Sequence, residues 1–487
     1  MPPGSHYIDY TASGLYTNSQ LAAAAQELAT HVYGNPHCTS PSSLLVDKEL
    51  REARRLVLAH FNADPDEYMV VFTRSATEAL KLVGESYPWS AAPGWHPPRR
   101  VLPGGVNETA PARFGGCGAY NPANEDAGHS TYVYLRANHK SVLGIGALAR
   151  EHGAQLTCVD EDGMEAWLAS PQPERAPPAP GGEVTYSLVA YPAKDNYEGR
   201  IYPLSWIDKI HARSTPRHKW LVVLDAAAHA PTHPLDLTAH KADFVPLSFY
   251  KLFGLPTGAG ALIVRREAAA ALHIAYFGGG SVLDATAEGC WRMLMPLPEG
   301  LETGTMPFLD IIQLKYGFNL LRKLGGMHAI NAHVESLRAW AYERMSALRH
   351  SNGRPLLRIF GAHERGGHHQ SGLFQFVVTA ANGSAVAAPK VQSDAGAVRL
   401  HLRAGCDCNP GQCLFNLGIT PEEERARAIA GDLDKPFITV MRPSPSDPSR
   451  LAPVQLPTGS VRASLGSLST FEDVYALVAF LANAYLE

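Results

Sequence analysis

The sequence predicts an α/β protein: a large domain on a mostly parallel sheet, followed by a smaller α+β C-terminal domain. Three observations point there. Short apolar runs of strand character alternate with helical patterns through the first part of the chain. Polar groups able to do chemistry follow the carboxyl ends of two such runs, where open α/β sheets gather ligand groups. Beyond about residue 310 the texture shifts to a long helical pattern and then to isolated strands.

The elements follow in order. "ELREARRLVLAHF" places Leu50, Ala53, Val57, Leu58 and Phe61 at helical spacing. "YMVVFT" is a buried strand and "SATEALKLVGESY" the next helix. Further strands are expected at "TYVYLR", "YSLVAYP", "KWLVVLD", "ADFVPLSF" and "GALIVR". Residues 91–129 and 171–182, rich in Pro and Gly, interrupt the pattern as surface insertions. One long helical pattern then runs from Ile311 to His350, followed by strands at "GLFQFVVTA" and "VRLHLRAG". A final helix, "FEDVYALVAFLANAYLE", begins after Thr470 as its N-cap. The expected division is an N-terminal segment, residues 1–45, packing with the small domain, a large domain over 46–320 and a small domain over 321–487.

Composition narrows the function. Of 487 residues 45% are apolar and the formal charge is −4, which suits a soluble protein with a sizeable core. No long Lys/Arg run suggests nucleic acid, and no stretch approaches the roughly 20 apolar residues of a membrane span. The opening "MPPGSHYIDY" does not read as a secretion signal, so a cytoplasmic protein is expected. Seven cysteines, an odd and sparse set, argue against a disulfide scaffold and for a reducing compartment.

The chemistry concentrates at a few positions. "WLVVLDAAAHA" ends a strand at Asp225, and "SFYKLFG" sets Lys251 among aromatic residues just after another. A partly desolvated lysine has a lowered pKa and forms a Schiff base with an aldehyde. A carboxylate nearby can pair with a protonated pyridine nitrogen, the arrangement that makes pyridoxal phosphate an electron sink. The competing reading is a solvated lysine and a turn aspartate. "FTRSATEALKL" brings Ser75 and Thr77 to a helix start, where hydroxyls and free N–H groups suit a phosphate; a plain N-cap is the alternative. In "YLRANHKSVLG", His139 follows a strand and could stack on a ring or move protons, although 21 histidines make chance placement easy.

Taken together, "YGNPHCTSPSS", "VVFTRSATEALKLVGESYPW", "NHKSVLGI", "AYPAKDNYEGRIYPL", "LDAAAHA", "SFYKLFGLPTGAGALIVR", "ETGT", "RAGCDCNPGQC" and "VRASLGSLSTFEDV" resemble the class V aminotransferase-like enzymes. The resemblance is to the cysteine desulfurase domain of molybdenum cofactor sulfurases, and the pieces occur in family order. It implies fold type I of the pyridoxal-phosphate transferases, with a seven-stranded type of sheet. It implies pyridoxal 5'-phosphate as cofactor and Lys251 as its Schiff-base lysine. Asp225 would pair with the ring nitrogen, His139 stack on the ring, and Asn196 lie near the phenolic oxygen. Ser75, Ala76, Thr77 and Ser248 would hold the phosphate, with Tyr250 beside the lysine. Thr305 would reach the phosphate of a neighbouring subunit in a homodimer. Arg462, Arg403 and Asn196 would face the substrate, L-cysteine or a cysteine derivative.

Three cysteines, Cys406, Cys408 and Cys413, crowd into "RAGCDCNPGQC". The resemblance aligns Cys408 with the nucleophile that takes sulfur as a persulfide, leaving alanine. A structural metal site with His401 or Cys38 is the alternative reading, though paired C-x2-C knuckles are missing. Roles for Cys406 and Cys413 as supporting or relaying thiols stay open. Some residues depart from the pattern. Ala228 stands where simpler desulfurases have a cofactor-contacting Gln, with His229 as a possible substitute. Tyr250 replaces a His. Asp407 replaces a Phe, and an acid beside Cys408 is expected to disfavour its thiolate. Full molybdenum cofactor sulfurases continue into a product-binding domain, whereas this sequence stops soon after Arg462. The acceptor is therefore open between molybdenum cofactor and another sulfur acceptor. The remaining alternatives are a carbon–sulfur lyase acting on a cysteine conjugate, which needs no Cys408, a non-catalytic scaffold and a zinc-binding interaction module.

Overall fold

A computed structural model describes residues 4–91, 129–171, 184–444 and 447–487. The insertions expected at 91–129 and 171–182 lie, apart from their edges, outside these residues.

The large domain is built on a seven-stranded sheet. Its strands are β1 (Tyr68–Thr73), β2 (Thr131–Leu135), β3 (Gln155–Val159), β4 (Thr185–Pro192), β5 (His218–Asp225), β6 (Phe244–Ser248) and β7 (Gly260–Arg265). They lie in the order β1-β7-β6-β5-β4-β2-β3. The run β6-β5-β4-β2-β3 is parallel, and β7 is antiparallel to both β6 and β1. Buried on two faces, these strands carry two interleaved apolar sets rather than one. Tyr68, Val70 and Phe72 face one layer while Met69 and Val71 face the other. Val222 and Leu224 likewise oppose Val223, and Val189 and Tyr191 oppose Leu188 and Ala190. Each such fully buried Val, Leu or Ile contributes about 1.5–3 kcal/mol. Trp167, Trp206 and Trp220 fill the first layer.

The small domain carries a four-stranded antiparallel sheet of β8 (Leu357–Phe360), β9 (Leu373–Val378), β10 (Arg403–Gly405) and β11 (Ser460–Ser464), in the order β8-β9-β11-β10. The N-terminal segment joins it: His6–Tyr7 pairs in parallel with Leu400–His401, and Asp9 bridges to Ser464. The same segment also reaches the large domain, where a Cβ on Gly14 would lie 2.9 Å from the Lys251 carbonyl. The closing helix, Phe471–Tyr485, starts with a reciprocal capping box between Thr470 and Asp473.

Two expectations change. The long helical pattern is two helices, Phe308–Lys323 and Gly326–Ser346. Gly325 and Gly326 take φ of 93° and 79°, a left-handed turn the apolar periodicity does not register. "VRLHLRAG" is not one strand but two short ones, Leu400–His401 and Arg403–Gly405, because it pairs first with the N-terminal segment and then with β11.

Candidate active site

The carboxyl ends of the central strands converge on one cleft. Asp225 is the last residue of β5, and its Oδ1 accepts the Ala227 N–H at 3.0 Å. Ser248 ends β6, and Lys251 sits in the one-turn helix Phe249–Phe253 that follows. That turn closes at Gly254, with φ of 78°, where any Cβ would meet Tyr16 N at 2.5 Å. Ser75 caps the helix Ala76–Ser86, its oxygen accepting from Glu78 N. Ser248 Oγ accepts the Ala76 N–H at 2.9 Å, tying the β6 end to that helix start. Gly260 lets the two approach: a Cβ there would lie 2.6 Å from the Ser75 Cα. Thr77 and Ser141 share a hydroxyl contact of 2.9 Å.

His139 caps the helix Lys140–Glu151, its Nδ1 accepting the Ser141 N–H at 3.1 Å. In the neutral ring the proton therefore belongs on Nε2. Burial lowers the His139 pKa, opposed by Asp225. Burial also lowers the pKa of Lys251; the Asp225 carboxylate opposes it, Arg462 adds to it, and Cys408 opposes it again. A free-base amine is thus easier to reach than for a solvated lysine.

Ser75, Ala76, Thr77, His139, Asn196, Asp225, Ser248, Tyr250 and Lys251 all line this cleft. Thr305 does not. It is exposed and lines a separate surface depression with Arg74, Glu78 and Tyr276. The cleft thus offers a buried amine, a carboxylate at a strand end, an imidazole, and hydroxyls around a helix N-terminus. That donor set fits a pyridine aldehyde with a phosphate tail.

The small domain supplies Arg462 and Arg403, cross-strand partners in β11 and β10. Asp9 binds both, at 2.9 Å to Arg462 Nη2 and 3.1 Å to Arg403 Nε. Arg462 Nη1 donates to the Asn196 carbonyl at 2.9 Å. The Asn196 amide is engaged by the cysteine loop: its Nδ2 donates to the Asp407 carbonyl, and its Oδ1 accepts from Asn409 Nδ2 at 3.3 Å. Cys408 is exposed on that loop, and its carbonyl accepts the Lys140 N–H at 2.8 Å, one residue from His139.

The loop answers what the sequence left open about two of its cysteines. Cys406 and Cys413 are not free thiols but a disulfide, with Cα atoms 5.3 Å apart. Asn409 caps the helix Pro410–Leu417 and folds the chain back, so a seven-residue separation becomes a close approach that spacing alone does not reveal. Cys158 is disulfide-bonded as well, which the sequence reading of a reducing compartment does not anticipate. Asp407, expected to act on Cys408, has a side chain only 1% exposed and set against Arg462 at 3.5 Å. His229, the substitute considered for the missing Gln, faces elsewhere. It hydrogen-bonds the Pro234 carbonyl at 3.2 Å and stacks on His233.

Sequence reasoning missed Lys194 and Asp9. Lys194 is buried in the cleft wall, with its amine 3.0 Å from Thr232 Oγ1. The signal was the position of "AKDN" at the end of β4, a neighbouring parallel strand. Asp9 had no local signal, since its partners lie more than 390 residues away.

The aminotransferase class-V family model matches residues 6–96 and 124–477. A molybdenum cofactor sulfurase of Bos taurus is 36% identical over 485 residues, covering 98% of this chain and 50% of that protein. The molybdenum cofactor sulfurase of Homo sapiens is also 36% identical, over 492 residues, covering 99% of this chain and 50% of that one. The chain therefore spans about half the length of these relatives. Among solved structures, the apo cysteine desulfurase of Thermococcus onnurineus NA1 superposes with a TM-score of 0.69 at 19% identity, covering 98% of this chain and 94% of that one. A cystine C-S lyase in complex with its product cysteine persulfide does so with a TM-score of 0.66 at 14% identity, covering 100% and 99%. At these identities both likenesses concern the fold.

Proposed function

The chain belongs to the aminotransferase class-V family, and from that premise we propose that it is a pyridoxal-phosphate-dependent cysteine desulfurase. It converts L-cysteine and the Cys408 thiol into L-alanine and a Cys408 persulfide, which is then passed to a sulfur acceptor. The observation that carries the reading is the convergence of Lys251, Asp225 and His139 in one cleft, with Cys408 close enough to act electrostatically on the Lys251 amine. The molybdenum cofactor sulfurase relatives support molybdenum cofactor as the acceptor class.

Bound pyridoxal phosphate supplies an aldehyde for an amine and a ring that takes up an electron pair. Lys251 is the amine, kept basic but readily deprotonated by burial beside Asp225. Asp225, held by the Ala227 N–H, would pair with a protonated ring nitrogen. Ser75, Thr77 and Ser248 would hold the phosphate at the start of the helix Ala76–Ser86. His139 would stand against the ring, oriented by the Ser141 N–H on its Nδ1. Arg462 binds the substrate carboxylate and Arg403 stands beside it. Cys408 supplies the sulfur nucleophile from the loop above. The assembly is a homodimer in this reading, which is supported by exposed Tyr276, Trp291 and Met293 on the segment near Thr305.

Incubation of the purified protein with pyridoxal phosphate and L-cysteine tests the proposal. Alanine and protein-bound sulfane sulfur should appear in equal amounts in the first turnover. Pyruvate with free sulfide, and no sulfur on the protein, would instead identify a carbon–sulfur lyase.

A further inference from the structure

We propose that Asp407 is a resident carboxylate standing where the substrate's own carboxylate docks on Arg462, and that an incoming amino acid displaces it and shifts Cys408 with it; this rests on the desulfurase reading above.

The Arg462 side chain is only 3% exposed. Nη2 is bonded to Asp9, Nη1 to the Asn196 carbonyl, and Nε has no partner among the described residues. A ligand carboxylate can reach this guanidinium only by taking the place of something already there. Two acids are candidates, and they are held very differently. Asp9 accepts hydrogen bonds from both arginines. Asp407 lies 3.5 Å from Arg462 Nη1 and 4.0 Å from Arg403 Nε, yet neither of its buried oxygens has a well-formed hydrogen bond among the described residues, and the Gln375 side chain is the neutral group that supports its charge. A buried carboxylate so poorly hydrogen-bonded is costly, whereas Asp9 is bonded by both arginines, so Asp407 is the weaker tenant.

The backbone agrees. Asp407 and Cys408 are consecutive non-glycine residues in the left-handed region, with φ of 51° and 59°. That region is disfavoured for residues with a Cβ, more for Cys than for Asp. Gly405, with φ of 126° and open space only where a Cβ would stand, ends β10 just before the loop, and Asn409, fixed to the Ala137 carbonyl at 2.9 Å, anchors its far end. A free amino acid makes better-directed bonds to the guanidinium than this constrained side chain does. Releasing Asp407 moves the residue bonded to it, Cys408. Substrate arrival is thereby coupled to the placement of the nucleophile.

The groups facing Asp407 are Arg462 and Arg403 from the paired strands, Asp9 from the N-terminal segment, Gln375 from β9 and Tyr197 after β4. Burial raises the Asp407 pKa; the two arginines oppose this, Asp9 adds to it and the Gln375 side chain opposes it again. A raised pKa means protonation sets in at higher pH than for a solvated acid. The neutral form competes less for Arg462, so carboxylate ligands bind tighter as pH falls.

The test uses the cofactor-loaded protein and two amines. L-Alanine carries a carboxylate and no sulfur, and cysteamine carries no carboxylate. Binding is read from the change in cofactor absorbance. Asp407→Asn should bind L-alanine about tenfold tighter than the unaltered protein, with cysteamine unchanged. The gap between the two proteins should narrow as pH is lowered. Equal effects on both amines, or none on L-alanine, would overturn the proposal. Should the variant not fold, hydrogen exchange in the unaltered protein decides. L-Alanine, but not cysteamine, should change protection at residues 406–409, and identical protection with both overturns it. Failure of the desulfurase reading shows separately, as the absence of alanine and bound sulfur from cysteine.

Discussion

The floor of the cleft and the loop above it are built on opposite plans. Asp225, Ser248 and Lys251 stand at or just beyond the ends of adjacent parallel strands, and sheet register fixes them. The loop from Cys406 to Asn409 has no such frame. It holds two left-handed residues, a buried acid without a well-formed hydrogen bond among the described residues, and an exposed thiol. The contrast suits a division of labour. Groups that orient a ring must not drift, because small misplacements are expensive in rate. A sulfur that first meets substrate and then an acceptor has to present itself in more than one place.

Breaking the floor should do most damage. Lys251→Ala is expected to abolish the internal cofactor absorbance and to lower alanine formation by at least about 10³-fold. Retained absorbance and turnover would refute the assignment of the floor. Breaking the loop should separate the two regions. Cys408→Ser is expected to keep the cofactor spectrum while losing protein-bound sulfane sulfur, with desulfuration down about 10²-fold. A spectrum disturbed as much as in Lys251→Ala would mean that floor and loop are not distinct.

The smallest effect sharpens the floor itself. Burial lowers the Lys194 pKa to about 7. Above the ordinary lysine range both folded and unfolded chains are neutral there, and no penalty arises. As pH falls, the unfolded chain takes up the proton first, so folding loses stability until the folded pKa is passed. Lys194→Met should therefore stabilise the cofactor-free protein by about 2–5 kcal/mol near pH 6 and far less near pH 10. Urea unfolding at both pH values reads this directly. A pH-independent increment would show that the amine is not buried as described.

What the sequence disclosed follows the same divide. The floor was legible because each strand carries its signal locally: an apolar run, then a polar group at its end, as in "WLVVLD" before Asp225. The alternation also exposed the large sheet, though not its strand order, since pairing is set by contacts distant in sequence. The loop was legible only as a cluster of cysteines. Its disulfide depends on a helix cap, and the burial of Asp407 depends on β11 arriving beside β10. The Gly325–Gly326 break was visible as letters but has no apolar period of its own. Asp9 was silent because its neighbours give no clue to a partner in the last strand of the small sheet.

That last pairing bears on how the chain is made. His6, Tyr7 and Asp9 leave the ribosome some 390 or more residues before their partners Leu400, His401 and Arg462. During translation the large sheet can assemble while this leading segment waits unpaired, and closing so long a loop is slow. The small domain, with the arginine pair that Asp9 aligns, is consequently completed only after β11 has been made.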